Sequence, residues 1–161
     1  MRIYCKKIPC VQFFKRRYKL KQQKNLKKKE SYLTELKEAI VNGERVKIAE
    51  LLNRSPVNNQ KITDVLNEYL FKVNSFKTIK YLIELGADPK TIDKYGRTLY
   101  FKARTFDDIC YLKRLKHIDV NAKDKWGRTV LIRAALRNKV GIVKALLKNK
   151  NIAISTQYQG K

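Results

Sequence analysis

The chain has 161 residues, of which 43% are hydrophobic, so it is the size of one ordinary domain and has enough apolar material for a core. No apolar run approaches the roughly 20 residues that span a bilayer, and no small-residue cleavage site follows the apolar stretch at 8–14, so the sequence argues against a membrane helix and a secretory signal. The net charge of +24 favours anionic partners, whereas three cysteines and one histidine argue against a disulfide scaffold or a zinc site.

Residues 1–30 are strongly basic, with twelve basic residues and one acidic residue. Aromatic residues lie among them, namely Tyr4, Phe13, Phe14 and Tyr18. Such a segment can follow a phosphate backbone with rings for base stacking, lie on an anionic membrane surface, or serve as a targeting signal. Equally, it can be a solvated, partly helical extension whose apolar residues pack on the segment that follows. The candidate polyanion-binding residues are Lys15, Arg16, Arg17, Lys19, Lys27, Lys28 and Lys29.

The next segment predicts a pair of helices. Ser31 is the expected N-cap of the first helix, and Asn42-Gly43 is its expected end. Apolar residues at helical spacing predict the second helix over 46–52.

A second pair of helices follows an Asn-rich loop. The apolar pattern predicts an inner helix over 62–73 and an outer helix over 76–85. Gly86 follows the outer helix, at the position where glycine supplies a left-handed C′ residue.

A hexapeptide that starts at Asp93, Asp-Lys-Tyr-Gly-Arg-Thr, returns 31 residues later from Asp124 as Asp-Lys-Trp-Gly-Arg-Thr. Its glycines, Gly96 and Gly127, are expected to adopt a positive φ in a tight turn. The threonines that close the two copies are expected to cap the helices that follow.

Each hexapeptide precedes a further pair of predicted helices. After the first copy, residues 101–106 are expected to end the inner helix, and Asp107-Asp108 is expected to cap the outer helix. After the second copy, Val130–Leu136 and Ile142–Leu147 form the predicted helices, whose outer side is either tolerably polar or a docking surface.

A turn followed by two helices, repeated here after 31 residues, resembles the ankyrin repeat family, whose units have about 33 residues. The resemblance implies that the third unit, residues 93–123, is two residues short, and the shortfall is expected between its helices or just after the outer one. The two hexapeptides carry the resemblance together with Gly86-Ala87-Asp88, which is similar to the family's Gly-Ala-Asp loop. The tetrads that begin at Thr98 and Thr129 depart from the family's Thr-Pro-Leu-His, because apolar residues replace the proline and the histidine and so remove a buried polar link. The resemblance implies an all-α fold, an ankyrin-type helical repeat solenoid. We expect a basic extension at 1–30 and a repeat domain at 31–161, with repeats near 31–59, 60–92, 93–123 and 124–156.

The sequence predicts no catalysis, no cofactor and no metal site. An enzyme needs an acid-base or nucleophile constellation, a metal set or a phosphate-binding loop, and none is evident. His117 is interpreted as a loop residue.

The resemblance implies that partners dock on the concave side, formed by the turn tips and the inner helices. Tyr95 and Trp126 occupy turn tips, where burial is hard to arrange, and Trp, Tyr and Arg are enriched at interface hot spots. The alternative is that both rings only lie against neighbouring turns. The candidate partner-binding residues are Lys94, Tyr95, Arg97, Phe106, Lys125, Trp126, Arg128 and Arg137, with Lys61 and Lys72 as an extension onto the second repeat.

Three functions remain in competition. The leading hypothesis is a non-catalytic, monomeric adaptor that binds a protein with an acidic patch and takes no small-molecule substrate. It is expected inside the cell, in the cytoplasm or, alternatively, in the nucleus or a host cell. The alternative is binding of nucleic acid or an anionic membrane through residues 1–30 and the basic repeat surface. The third is a structural fragment of a larger repeat array.

Overall fold

The computed structural model describes residues 10–115 and 117–154, with side chains from residue 15 onward. These residues form seven α-helices and one short 3-10 helix and contain no strand, which confirms the predicted all-α helical repeat fold. In chain order the elements are α1 (Cys10–Asn42), α2 (Arg45–Asn53), α3 (Asn59–Lys72), α4 (Phe76–Glu84), the 3-10 helix (Leu99–Lys102), α5 (Phe106–Arg114), α6 (Val130–Leu136) and α7 (Val140–Leu147). The chain divides into an N-terminal unit, residues 1–58, and a C-terminal unit, residues 59–161.

Helix α1 is a single helix of 33 residues. The predicted N-cap at Ser31 is wrong, because the helix continues through this residue and the hydroxyl of Thr34 donates to the carbonyl of Glu30 inside the helix (3.0 Å). The expected boundary between residues 30 and 31 therefore falls within α1. Tyr4, Phe13 and Phe14 lie outside the residues whose side chains the structure describes.

Two segments of α1 differ sharply in burial. Every side chain from residue 15 to residue 31 is exposed, and burial begins with Tyr32. The hydroxyl of Tyr32 donates to the carbonyl of Leu51 (3.0 Å), which joins α1 to α2. The remaining core of this unit consists of Leu36, Ala39, Ile40, Ile48 and Leu51. Over residues 15–42, α1 is therefore tied into the core of the N-terminal unit only from Tyr32 onward.

Three helices end with the same turn, in which a left-handed residue lets two amides return to the helix. Gly43 and Gly86 have positive φ values of 72° and 100°, and Asn138 takes the same position with a φ of 53°. At Gly86, the amide of Gly86 donates to the carbonyl of Ile83 and that of Ala87 donates to Leu82, both at 3.0 Å. The prediction that Gly86 is the C′ residue is confirmed.

The third repeat has an inner helix of only four residues, the 3-10 helix Leu99–Lys102. The expected ending within residues 101–106 is confirmed, because the helix ends at Lys102 and Ala103 is its C-cap. Helix α5 is capped by Thr105, whose hydroxyl accepts from the amide of Asp108 while the carboxylate of Asp108 accepts from the amide of Thr105. Thr105 is therefore the N-cap residue, and Asp108, in the acidic first turn of α5, completes the capping box as the predicted acidic cap.

The two hexapeptide threonines behave differently. Thr129 caps α6 as predicted, since its hydroxyl accepts from the amide of Ile132 (3.3 Å). The prediction for Thr98 is wrong: it precedes the 3-10 helix, the amide of Phe101 donates to its backbone carbonyl, and its buried hydroxyl has no partner among the described residues. In the 3-10 turn the amide of Phe101 is taken by the backbone carbonyl of Thr98, whereas in the fourth repeat the equivalent amide, that of Ile132, donates to the Thr129 hydroxyl.

Valine substitutions at these two positions should have opposite effects on stability. Thr129→Val should lower the free energy of unfolding by about 1 kcal/mol, because it removes a capping acceptor. Thr98→Val should leave stability unchanged or raise it, because it removes a buried hydroxyl that makes no hydrogen bond. Urea unfolding of the two variants beside the wild type measures both effects, and equal losses would contradict the structure.

Candidate functional site

The two hexapeptides form fingers, the third-repeat finger (residues 93–98) and the fourth-repeat finger (residues 124–129), and each is built around an aspartate. In the fourth-repeat finger, Oδ1 of Asp124 accepts from the amides of Trp126 and Arg128, both at 3.0 Å. Oδ2 accepts from Nε of Arg128 (2.9 Å) and pairs with its Nη2 (2.8 Å). The carboxylate is fully buried, so one side chain organises the backbone and orients an arginine.

The third-repeat finger repeats this arrangement. Oδ1 of Asp93 accepts from the amides of Tyr95 (2.9 Å) and Arg97 (3.0 Å), and its Oδ2 accepts from Nε of Arg97 (2.7 Å). The guanidinium of Arg97 also forms an ion pair with this carboxylate. The same geometry in both copies explains why aspartate and arginine recur four residues apart.

The fingers are neighbours one layer apart. The amide of Lys125 donates to the carbonyl of Tyr95 (2.9 Å) and joins them directly. Gly96 and Gly127 have φ values of 71° and 76°, which confirms the predicted turns. Gly96 also faces the next finger, because a Cβ there would lie 3.6 Å from the carbonyl oxygen of Lys123.

Tyr95 and Trp126 form a ring pair at the finger tips. Their centroids are 5.5 Å apart and their planes differ by 24°, so the rings stack. The ammonium of Lys125 lies 4.5 Å from the centroid of Tyr95 and 4.6 Å from that of Trp126, and the guanidinium of Arg128 lies 4.5 Å from Trp126. The rings thus do lie against neighbouring fingers, yet Trp126 remains 47% exposed.

The remaining candidates are distributed over several places. Lys94 lies beside Tyr95, with its ammonium 5.0 Å from that ring, and is exposed. Arg137 is the exposed C-cap of α6. Phe106 is not on an inner helix: it is the first residue of α5, where its ring lies 5.1 Å from the ammonium of Lys148. The structure therefore does not bring Phe106 together with the fingers.

Lys61 and Lys72 both lie on α3. Lys61 is exposed. The hydrogen bond from Lys72 to Glu68 raises the pKa of this lysine, and its ammonium lies 4.8 Å from the ring of Tyr69.

A basic groove, which the sequence reasoning missed, adjoins the fingers. It is a cavity of about 480 Å³ beside the shortened inner helix, and no carboxylate is among its lining residues. Its cations are Arg97, Lys102, Arg104, Arg133, Arg137 and Lys139. Lys102 and Arg133 stand 31 residues apart, so the period of the hexapeptides could have identified them as equivalent positions.

Two of these cations are held by backbone carbonyls of the preceding layer. Nζ of Lys102 donates to the carbonyl of Phe71, and Nη1 of Arg133 donates to that of Phe101, each at 3.0 Å. Burial is the main cause that lowers the pKa of Lys102, and repulsion from Arg104 and other arginines lowers it further. Burial, followed by repulsion from Arg137 and other arginines, likewise lowers the pKa of Arg133. The groove is therefore a region of concentrated positive charge.

The structure offers no metal-binding cluster of histidine, cysteine or acidic side chains among the described residues. His117 is exposed in the loop after α5. None of the helices in the described part of the chain combines the length and the apolar character that a membrane crossing requires.

The candidate polyanion-binding residues all lie on the exposed part of α1. They are Lys15, Arg16, Arg17, Lys19, Lys27, Lys28 and Lys29. At 3.6 residues per turn these positions surround the helix instead of forming one stripe. This segment is therefore a basic rod rather than an amphipathic helix.

Comparison with known protein families identifies the family of this chain. The family model for ankyrin repeats (three copies) matches residues 67–159, which is more than half of the chain. No curated protein matches the chain.

The fingers should make stability depend on acid pH. Burial alone would raise the pKa of Asp124, but hydrogen bonds from Arg128 and Trp126 and the charge of Arg128 outweigh it and lower this pKa below its ordinary value of 3.8; the pKa of Asp93 is lowered in the same way. Because the folded-state pKa is depressed, this stabilisation is present above the unfolded value and is lost as pH falls through the folded value. The free energy of unfolding should therefore decrease as pH falls below about 4.

Asp124→Asn tests this origin. It should lower the free energy of unfolding at neutral pH by about 1–3 kcal/mol, because the arginine loses its charged partner. It should also flatten the dependence on acid pH, measured by urea unfolding across the acid range. Asp107→Asn, which removes an exposed carboxylate from the first turn of α5, is the control. If the free energy of unfolding of Asp124→Asn depended on acid pH as steeply as that of the wild type, Asp124 would not be the origin of the effect.

Proposed function

Because this chain belongs to the ankyrin repeat family, we propose that it is a non-catalytic protein that binds another protein through its two fingers. Ankyrin repeats generally mediate protein–protein interaction, and the family is typically non-catalytic. The observation that carries the proposal is the stacked ring pair of Tyr95 and Trp126, in which Trp126 remains 47% exposed. Rigid aromatic groups give large contact area at a low entropic cost, which is typical of interface hot spots.

Charge indicates the chemistry of the partner. Lys94 and Lys125 are exposed on either side of the ring pair, and no acidic residue at the finger tips offsets them. Asp93 and Asp124, the acids of the two fingers, are turned inward to the arginines. A partner with an acidic patch fits this surface best, because opposite charges speed association and select against other partners.

The candidate residues divide by role. Lys94, Tyr95, Lys125 and Trp126 form the proposed contact surface. Arg97 and Arg128 orient the rings from within the fingers, since each is paired with its aspartate and lies over its own ring. Arg137 belongs to the basic groove, and Phe106 falls outside the contact surface. We propose that the protein acts as a monomer inside the cell, in the cytoplasm or alternatively in the nucleus or a host cell.

Removal of the ring pair should abolish partner capture. The double substitution Tyr95→Ala with Trp126→Ala should weaken binding about 100-fold or more, because paired hot-spot residues each contribute about 2 kcal/mol. The measurement is affinity capture by the full chain from extracts of the cells that contain it, with identification of the retained proteins.

Phe106→Ala is the matched control for this test. It removes an exposed aromatic ring from the same unit but away from the fingers, and it should retain the wild-type set of proteins. The proposal fails if the finger variant captures the same proteins as the wild type.

A second candidate function is polyanion binding by α1. The observation that favours it is that every side chain over residues 15–31 is exposed, so these nine basic residues are available to nucleic acid or an anionic membrane. Exposed rings such as Tyr18 could stack on bases. We propose this function as an addition to, and not a replacement for, the role of the fingers.

A salt titration tests the second candidate. Binding of a generic RNA oligonucleotide should weaken steeply as salt rises, because each neutralised phosphate releases a counterion. Substitution of Lys27, Lys28 and Lys29 by glutamine should reduce the slope of log K against log salt by about two, because each phosphate contact on a single strand contributes roughly 0.7. Lys77→Gln with Lys90→Gln, in the C-terminal unit, is the control. Absence of binding at low salt would remove this candidate.

A further inference from the structure

The basic groove owes its space to the short inner helix of the third repeat. The 3-10 helix ends at Lys102, and the chain passes through Ala103 and Arg104 to the cap of α5. Side chains from the fourth repeat, notably Arg133 and Arg137 of α6, reach the same space. The resulting cavity of about 480 Å³ is large enough for a side chain and its neighbours, and too small for a folded domain.

The lining of the groove carries six cations and no carboxylate. Among the described residues, Arg97 is the one groove cation in an ion pair, with Asp93. Across residues 10–115 and 117–154, no carboxylate lies within ion-pair distance of the other five, which are Lys102, Arg104, Arg133, Arg137 and Lys139. Like charges at close range repel one another and oppose folding. A bound anion would relieve this repulsion, so we expect the groove to bind one.

The cations are also oriented before any anion arrives. Lys102 and Arg133 are fixed by single hydrogen bonds to backbone carbonyls, which leaves two donors on the ammonium and four on the guanidinium. Arg133 is further placed over the ring of Phe101, 5.5 Å from its centroid. Because the fold already holds these two side chains in place, little of their conformational entropy is lost when an anion binds.

We propose that the basic groove binds a phosphoryl group carried by a phosphorylated segment of the partner protein. The inference rests on the proposed function, since it supplies the chemistry of that partner. A phosphorylated side chain brings a charge of about −1.5 to −2 and three acceptor oxygens to one point. Aspartate and glutamate bring a single charge and two oxygens, so a phosphoryl group matches several converging arginine and lysine donors better.

Fluorescence anisotropy tests the proposal with a library of short labelled peptides that share a central phosphoserine. The same library with serine, and with glutamate, at that position provides the comparison, at about 0.15 M salt. The full chain should bind the phosphoserine library about tenfold or more tighter than either of the others. Equal binding of the glutamate library would overturn the phosphoryl assignment.

Two exposed groove cations are the positions to substitute, because neither makes a side-chain hydrogen bond that the fold needs. Arg104→Gln with Arg137→Gln should weaken phosphopeptide binding about tenfold or more. Arg114→Gln with Lys144→Gln removes the same charge from exposed positions on α5 and α7 and should have little effect. Equal losses in both pairs would overturn the proposal, because the effect would then follow net charge and not the groove.

Two further experiments distinguish a phosphopeptide site from a site for free phosphate and from a general polyanion surface. If inorganic phosphate alone displaced the labelled peptide as effectively as unlabelled phosphopeptide does, the groove would hold an adventitious ion only, and the assignment to a peptide would be overturned. If the Arg104→Gln, Arg137→Gln pair weakened binding of an RNA oligonucleotide as much as that of the phosphopeptide, the groove would be a general polyanion surface, which also overturns it.

The proposal and the proposed function can fail independently. If Tyr95→Ala with Trp126→Ala abolishes capture of the cellular partner while the groove pair captures it normally, the fingers bind the partner and the groove inference is wrong. If the phosphoserine library binds the wild type and the groove pair loses it, while the finger variant captures its partner normally, the groove inference stands without the fingers.

Discussion

The bonds that each finger aspartate makes are the constraint on which the rest of the site depends. Asp93 and Asp124 each satisfy two backbone amides and an arginine four residues later. With the backbone fixed in this way, Tyr95 and Trp126 occupy equivalent positions in adjacent fingers. The hydrogen bond from the amide of Lys125 to the carbonyl of Tyr95 holds the fingers close enough for the two rings to stack. Buried carboxylates would be costly in isolation, but here the guanidinium and amide groups satisfy them.

The departures of this chain from its family have physical consequences that belong together. The Thr98 hydroxyl has no hydrogen-bond partner among the described residues, and the inner helix that follows is one 3-10 turn whose Phe101 amide donates to the Thr98 carbonyl instead. The space beside that turn is the basic groove, where Lys102 and Arg133 hold adjacent layers through backbone carbonyls. In this part of the molecule, charged side chains bonded to backbone carbonyls therefore link successive layers.

Particular residues show how far the sequence could go. The hexapeptide repeat predicted neighbouring fingers, and the glycines Gly86, Gly96 and Gly127 predicted turns that require a positive φ, because local backbone geometry leaves few alternatives. Predictions of where helices begin failed at Ser31 and Thr98, because a helix start depends on which amides lack partners. In α1 the helix simply continues through Ser31, and at Thr98 a backbone carbonyl replaces the hydroxyl as acceptor.

The sequence by itself determined the repeat period, the all-α class, the turns and the excess of positive charge, since each of these follows from residue type and spacing. Only the tertiary structure decided that Phe106 stands apart from the fingers, that Arg97 and Arg128 are paired with aspartates, and that six cations converge on one groove. The physical reason is that the length of one inner helix determines which side chains of successive layers meet. The third repeat is two residues short, but its sequence alone does not show which of its elements is shortened.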